Sequence, residues 1–207
     1  MDFVRPVEAL IPGVQGRILA ALARTTAEIN LRTVADLAGV SPAQATRVLS
    51  RLVDLGVVNR RDVPPSALFQ LARENIAARV VVELAALREN TLKELASLAQ
   101  KLVQRAVNVT LFGSLARGDA GADSDIDMLI VRARGVAEDD DQWTELLAMF
   151  TDRVRERTGN PMNIVEVSES EIGQLLRSRR TLWGDVRAEG RTLAGEPLAA
   201  LRSRRSA

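Results

Sequence analysis

The residues of this chain best placed to do chemistry lie in LFGSLARGDAGADSDIDMLIV, residues 111–131, where a Gly-Ser pair ends one apolar run and two acids spaced i, i+2 open the next. A strand entering a core normally excludes carboxylates, because burying an ionised group without a partner is costly or forces it to take up a proton. Alternation along a strand puts Asp125 and Asp127 on one face with Leu129 and Val131, and Ile126, Met128 and Ile130 on the other. Two carboxylates side by side at a strand start form a clamp for a divalent cation. The chain has no histidine and no cysteine, so any metal must be held by oxygen, which favours magnesium or manganese.

The preceding run ends at Phe112, where Gly113 lets the backbone turn closely and Ser114 begins a short helical stretch, SLARG. Free N–H groups and a hydroxyl at such a start form an anion cradle, and Arg117 can add a charge-assisted contact to a phosphate or orient an aspartate. Cradle and clamp thus fall on neighbouring strand ends. That pairing suits nucleotidyl transfer: a cation on two carboxylates neutralises charge on triphosphate oxygens and aligns an acceptor hydroxyl with the α-phosphate.

GSLARG followed by SDIDMLIV resembles the signature of the DNA polymerase beta nucleotidyltransferase superfamily, in its minimal nucleotidyltransferase form, over roughly residues 105 to 170. Gly113, Ser114, Arg117, Gly118, Ser124, Asp125 and Asp127 match it. The resemblance implies metal-dependent transfer of a nucleoside monophosphate from a nucleoside triphosphate to a hydroxyl acceptor, with protein and RNA as candidate acceptors. It makes Asp125 and Asp127 the catalytic, metal-holding pair and puts Gly113, Ser114, Arg117 and Ser124 on the nucleotide. Members usually add a third carboxylate from a later strand. Here the segment MNIV has Asn163 at that place, and Glu166 has the opposite strand parity. An amide coordinates metal weakly and cannot accept a proton as a carboxylate does. Two readings therefore stand: an enzyme, or a DNA-binding regulator whose degenerate domain only senses nucleotide.

The surrounding elements, residues 106–207, read as a small mixed sheet with helices. VNVTLF, DIDMLIV and PMNIVEV are strands, and DQWTELLAMFTDRVRER is an amphipathic helix with Trp143, Leu146, Leu147, Phe150 and Val154 inward. The acids Glu138 to Asp141 precede that helix and suit its N-terminus, and Ser168 with Glu171 predicts a capping box for a further helix. The basic tail LRSRRSA has no assigned role.

Residues 1–71 read as a helix-rich module ending in a hairpin around DVPPS. Thr33 is expected to cap a short helix stopping near Gly39, and Ser41-Pro42 to start a second. On the second helix Val48, Leu49, Leu52 and Val53 form the buried stripe, with Gln44, Arg47 and Arg51 on the opposite face. The segment resembles winged helix-turn-helix DNA-binding domains, a form also used between proteins. The resemblance puts Gln44, Arg47 and Arg51 at base edges of double-stranded DNA and Arg60 and Arg61 at phosphates. Residues 72–105 contain neither Gly nor Pro and predict one long linking helix. Leu84, Leu87, Thr91, Leu95, Leu98 and Leu102 line a narrow seam on it, suited to packing within the chain or to a homodimer.

The fold class is thus α/β (α+β) with two domains. With 207 residues, 46% of them hydrophobic, the chain can build real cores. It has no apolar run long enough for a membrane and no signal-peptide pattern at its start, so a cytoplasmic protein is expected. The formal net charge of +1 carries no global signal for nucleic acid, and only Lys93 and Lys101 among the 28 basic residues are lysine.

Overall fold

The computed structural model describes residues 1–178 and 181–203. It divides into two compact units, one of residues 5–87 and one of residues 1–4 together with the chain from Arg88 onward. No described helix is long and apolar enough to cross a membrane.

The unit of residues 5–87 runs α1 (Pro6–Leu10), α2 (Val14–Ala23), β1 (Ile29–Asn30), α3 (Leu31–Ala38), α4 (Pro42–Asp54), β2 (Val58–Val63), β3 (Ser66–Leu71) and α5 (Ile76–Ala85). Helix α3 is capped by Asn30, whose Oδ1 accepts the Thr33 N–H at 2.9 Å. This corrects the expectation that Thr33 is the cap: Thr33 lies at the third helical position, where its N–H needs an acceptor. The helix stops at Gly39, whose left-handed φ of 59° ends it. Ser41 caps α4, with Pro42 at the first helical position. The β2–β3 hairpin pairs Val58 with Leu71 through to Val63 with Ser66, and β1 pairs with the other edge of β3. Ile18, Leu22, Val34, Leu49, Leu52, Val58, Phe69 and Leu71 fill the core. Of the predicted stripe on α4, Leu49 and Leu52 are buried together with Ala45, and Val48 and Val53 are half-buried.

The segment 72–105 is two helices and not one. Helix α5 ends at Ala85, Ala86 leaves helical geometry with φ −91° and ψ 13°, and α6 (Leu87–Ala99) begins beyond it, followed by a 3-10 turn over Gln100–Gln104. The division has a packing reason. Ala78 and Val81 of α5 join the core of the first unit, whereas α6 belongs to the second.

That second unit continues with β4 (Ala106–Phe112), α7 (Gly113–Arg117), β5 (Ile126–Arg132), α8 (Asp141–Thr158), β6 (Met162–Ser168), α9 (Glu169–Leu175), α10 (Thr181–Glu189), β7 (Arg191–Gly195) and α11 (Leu198–Ser203). The sheet order is β6-β5-β4-β7. β5 and β6 are parallel, joined through α8, and the other two pairings are antiparallel. On one sheet face Phe112, Leu129 and Val131 pack with Ile172, Leu176, Trp183, Val186 and Leu201. Trp143, Phe150 and Val154 of α8 are buried as predicted, while Leu146 and Leu147 are half-buried.

Leu95 and Leu102 of the predicted seam are fully buried within the chain, and Leu98 and Leu102 line a groove with Leu146 and Phe150 of α8. At these positions the seam serves packing within the chain, while Leu84, Leu87, Thr91 and Leu98 are half-buried. Asp140 caps α8, accepting the Trp143 N–H at 2.8 Å, so the acidic run does serve a helix start. The capping box at Ser168 forms, with Glu171 accepting the Ser168 N–H at 3.1 Å. β7, α10 and α11 carry no clear sequence signal. β7 is held by the buried Asn108, whose Nδ2 donates to the Glu196 carbonyl at 2.7 Å, and by Thr110 beside Thr192. The basic tail lies outside the described residues from 204 on, so its predicted lack of a role has no structural counterpart.

Candidate active site

The antiparallel register places Asp127 opposite Phe112, the last residue of β4, and so beside Gly113. Gly113 has a φ of 71°, a conformation side chains disfavour, and a Cβ at this position would collide with the Asp127 carboxylate. The Gly-Ser turn and the acid pair are thus one local construction. Asp125 lies just ahead of β5. Its loop is held by Asn160, 1% exposed, whose Nδ2 donates to the Ser124 carbonyl at 2.9 Å. The Ser124 hydroxyl accepts the Gly121 N–H at 3.0 Å, which closes the turn before the acids.

Parallel pairing of β5 with β6 sets Asn163 beside Asp127. Its Nδ2 donates to Asp125 Oδ2 at 3.0 Å and to Asp127 Oδ1 at 3.3 Å. Glu166 stands on the other face, as its parity requires. It accepts the Trp143 Nε1–H at 2.9 Å and pairs with Arg132. Among the described residues there is no cluster of three or more acids able to hold a metal. The donor set is therefore two carboxylates that converge on one point, with an amide at that point. It fits a single oxygen-seeking divalent cation with its remaining positions left to water or phosphate.

Arg117 is committed within the chain. Its Nε donates to Asp119 at 3.2 Å and its Nη1 to Glu189, at the end of α10, at 2.6 Å. Hydrogen bonds to Glu189 and then Asp119 raise its pKa further above the ordinary guanidinium value. Its present role is to tie α7 to α10. The Ser114 carbonyl accepts the N–H groups of Gly118 and Asp119 at 2.8 and 3.0 Å, closing the short helix. Arg88 was missed from the sequence. Its guanidinium donates to the carbonyls of Leu115 at 3.1 Å and Ala116 at 2.6 Å and lies against Gly118. It satisfies the open carbonyl end of α7; 27 residues separate it from Leu115, and no local pattern announces the pairing.

On the separate helix-turn-helix unit, Arg47 and Arg51 are exposed on α4. Gln44 sits at the third helical position, where its Oε1 accepts the Ser41 N–H at 3.0 Å and its own N–H donates to Ser41 Oγ at 3.2 Å. Its side chain is turned to its own helix start rather than outward. In the hairpin, Arg60 pairs with Asp62 at 2.8 Å and Arg61 with Glu28. The Arg61 hydrogen bond holds the Glu28 carboxyl below its ordinary range.

Residues 89–181 match the nucleotidyltransferase domain family, and residues 16–62 match the IclR helix-turn-helix domain. The chain thus joins an N-terminal helix-turn-helix domain to a nucleotidyltransferase domain. Several solved structures are similar to it, two of them as follows. One is the toxin-antitoxin MntA-HpeT in a mutant form, 17% identical, covering 51% of this chain and 73% of that one with a TM-score of 0.35. The other is a toxin-antitoxin with AMP-PNP, 18% identical, covering 54% and 80% with a TM-score of 0.37. No curated protein matches the chain.

Proposed function

We propose that the chain transfers a nucleoside monophosphate from a nucleoside triphosphate to a hydroxyl acceptor on protein or RNA, with its helix-turn-helix unit on double-stranded DNA. The observation that supports this reading most is the convergence of Asp125 Oδ2 and Asp127 Oδ1 on one point, at 3.0 and 3.3 Å from a single nitrogen, next to the side-chain-free turn at Gly113. These carboxylates would hold one magnesium or manganese ion, whose chemistry is to neutralise charge on the phosphate oxygens. The N–H groups at the start of α7 and the Ser114 hydroxyl would receive the terminal phosphates. Arg117 and Ser124 contribute chiefly by keeping α7 and the loop before Asp125 in place. With Glu166 occupied on the other face, Asp125 or Asp127 must take the proton of the acceptor hydroxyl.

The test is incubation of the pure protein with labelled nucleoside triphosphates, magnesium or manganese, and protein and RNA acceptors. Transfer by the wild type that disappears in Asp127→Ala is expected. Identical label in both proteins would refute the enzymatic reading.

A second reading is favoured by Asn163, an amide at the position of a third acid. In it the domain binds nucleotide without turnover and the chain regulates transcription. Arg47 and Arg51 then carry the function, Arg60 and Arg61 reach phosphates after leaving Asp62 and Glu28, and a second copy would double the phosphate contacts. Nucleotide binding without transfer, together with a change in DNA affinity on adding nucleotide, would decide for it.

A further inference from the structure

One amide group, Asn163 Nδ2, donates to both oxygens that a cation in this site would have to share, Asp125 Oδ2 and Asp127 Oδ1. Carboxylates only accept hydrogen bonds, and a side-chain amide carries its donors and its acceptor on opposite branches. With the NH2 turned toward the acids, the Asn163 carbonyl oxygen is turned away from them and offers nothing to a cation there. The strand register imposes this meeting, because Asn163 is the β6 partner of Asp127. The residue is exposed, so no packed core holds its side chain in place.

We infer that Asn163 occupies the place of the divalent cation in the protein alone, and that a cation enters only by displacing it. The inference rests on the metal site proposed above and concerns how that site is loaded. Two neighbouring carboxylates repel each other, and the amide N–H groups donated between them offset part of that repulsion while the site waits. Its presence also lowers cation affinity, since an entering ion gains only the difference between its own bonds and the two hydrogen bonds it breaks. Triphosphate oxygens supply the further ligands that a magnesium-type ion requires. The site therefore loads one divalent ion together with the nucleotide, and does not hold the ion beforehand. Asn163 is a positioning residue here and not a catalytic one.

The experiment is a titration of the full chain with Mn2+, free ion being read by electron paramagnetic resonance, for wild type, Asn163→Ala and Asn163→Asp. Each is measured alone and with a non-hydrolysable nucleoside triphosphate analogue. Without nucleotide, Asn163→Ala is expected to bind Mn2+ at least about tenfold more tightly than wild type, because the two hydrogen bonds to Asp125 and Asp127 no longer have to be broken. Asn163→Asp should bind more tightly still, and wild type should approach the alanine variant only when the triphosphate is present. Weaker binding by Asn163→Ala than by wild type overturns the inference, because the amide would then be a ligand. Equal binding by all three overturns it as well. Thermal unfolding of the variants, with the alanine protein regaining wild-type stability on Mn2+ addition, confirms that they are folded. Failure of the nucleotidyltransferase reading looks different: no variant binds the triphosphate, while the order of Mn2+ affinities without nucleotide is unaffected.

Discussion

Asn163 and Glu166, three positions apart on β6, serve opposite faces of the sheet: Asn163 donates to Asp125 and Asp127, while Glu166 accepts from the Trp143 indole at 2.9 Å and pairs with Arg132. The nearest spare acid in the sequence is thus engaged in joining α8 to the sheet. Glu166→Ala would leave the Arg132 guanidinium, 9% exposed, without its carboxylate. The expected loss is about 1–3 kcal/mol, the usual consequence of stranding a buried donor, read as a lower midpoint in urea. Mn2+ binding should be unchanged. Loss of Mn2+ binding with stability intact would instead place Glu166 in the metal site.

Gly113 is constrained twice over, by its φ of 71° and by the Asp127 carboxylate where a side chain would stand. Gly113→Ala should lose about 1–2 kcal/mol from the left-handed backbone alone. It should also push Asp127 away from Asp125. Transfer is then expected to fall by more than the stability change explains, which activity measured well below the unfolding midpoint would show.

Besides Glu28, two carboxylates among the described residues lie below their ordinary range in the folded chain. The Trp143 N–H and then Arg105 hold Asp140 down, and the Ser168 hydroxyl and N–H hold Glu171 down. A depressed folded pKa adds stability above the unfolded value, and this is lost as the pH falls through the folded one. Unfolding midpoints should therefore be level above about pH 5 and fall below about pH 4, where free carboxylates protonate. Asp140→Asn retains a good cap but no longer titrates, so its acid limb should be flatter than that of wild type.

Arg47 and Gln44 share a helix face yet differ in what occupies them. Arg47 is exposed, and Gln44 closes a capping box with Ser41. For DNA binding through α4, Arg47→Ala should weaken affinity and, where it meets a phosphate, reduce the slope of log affinity against log salt by about 1. Gln44→Ala should lower thermal stability by about 0.5–1 kcal/mol with little effect on affinity. A larger affinity loss from Gln44→Ala than from Arg47→Ala would show that Gln44 leaves its cap to read a base.

What could be read directly from the residues was local. Ser41-Pro42 and Ser168 with Glu171 announce helix starts because a cap and its N–H partners lie within four positions. The alternation from Asp125 to Val131 announces the shared face of the acids because side chains on a strand repeat every two. Thr33 was misread for the same reason, since Asn30 three residues earlier offers a similar local acceptor. The break at Ala86 had no such signal, with neither Gly nor Pro to mark it. It follows from the division of the apolar residues of α5 and α6 between two cores, which no window of sequence displays.

By itself, then, the sequence determined that two acids share a strand face beside a Gly-Ser turn, that no histidine or cysteine assists them, and that a helix-turn-helix precedes them. The tertiary structure decided who their partners are: Asn163 across 38 residues from Asp125, Arg117 across 72 from Glu189, and Arg61 across 33 from Glu28. Backbone preferences act over a few bonds and leave their mark in short patterns. The partner of a charged side chain depends on which distant strand or helix the core brings against it, and that is settled only when the sheet closes in register.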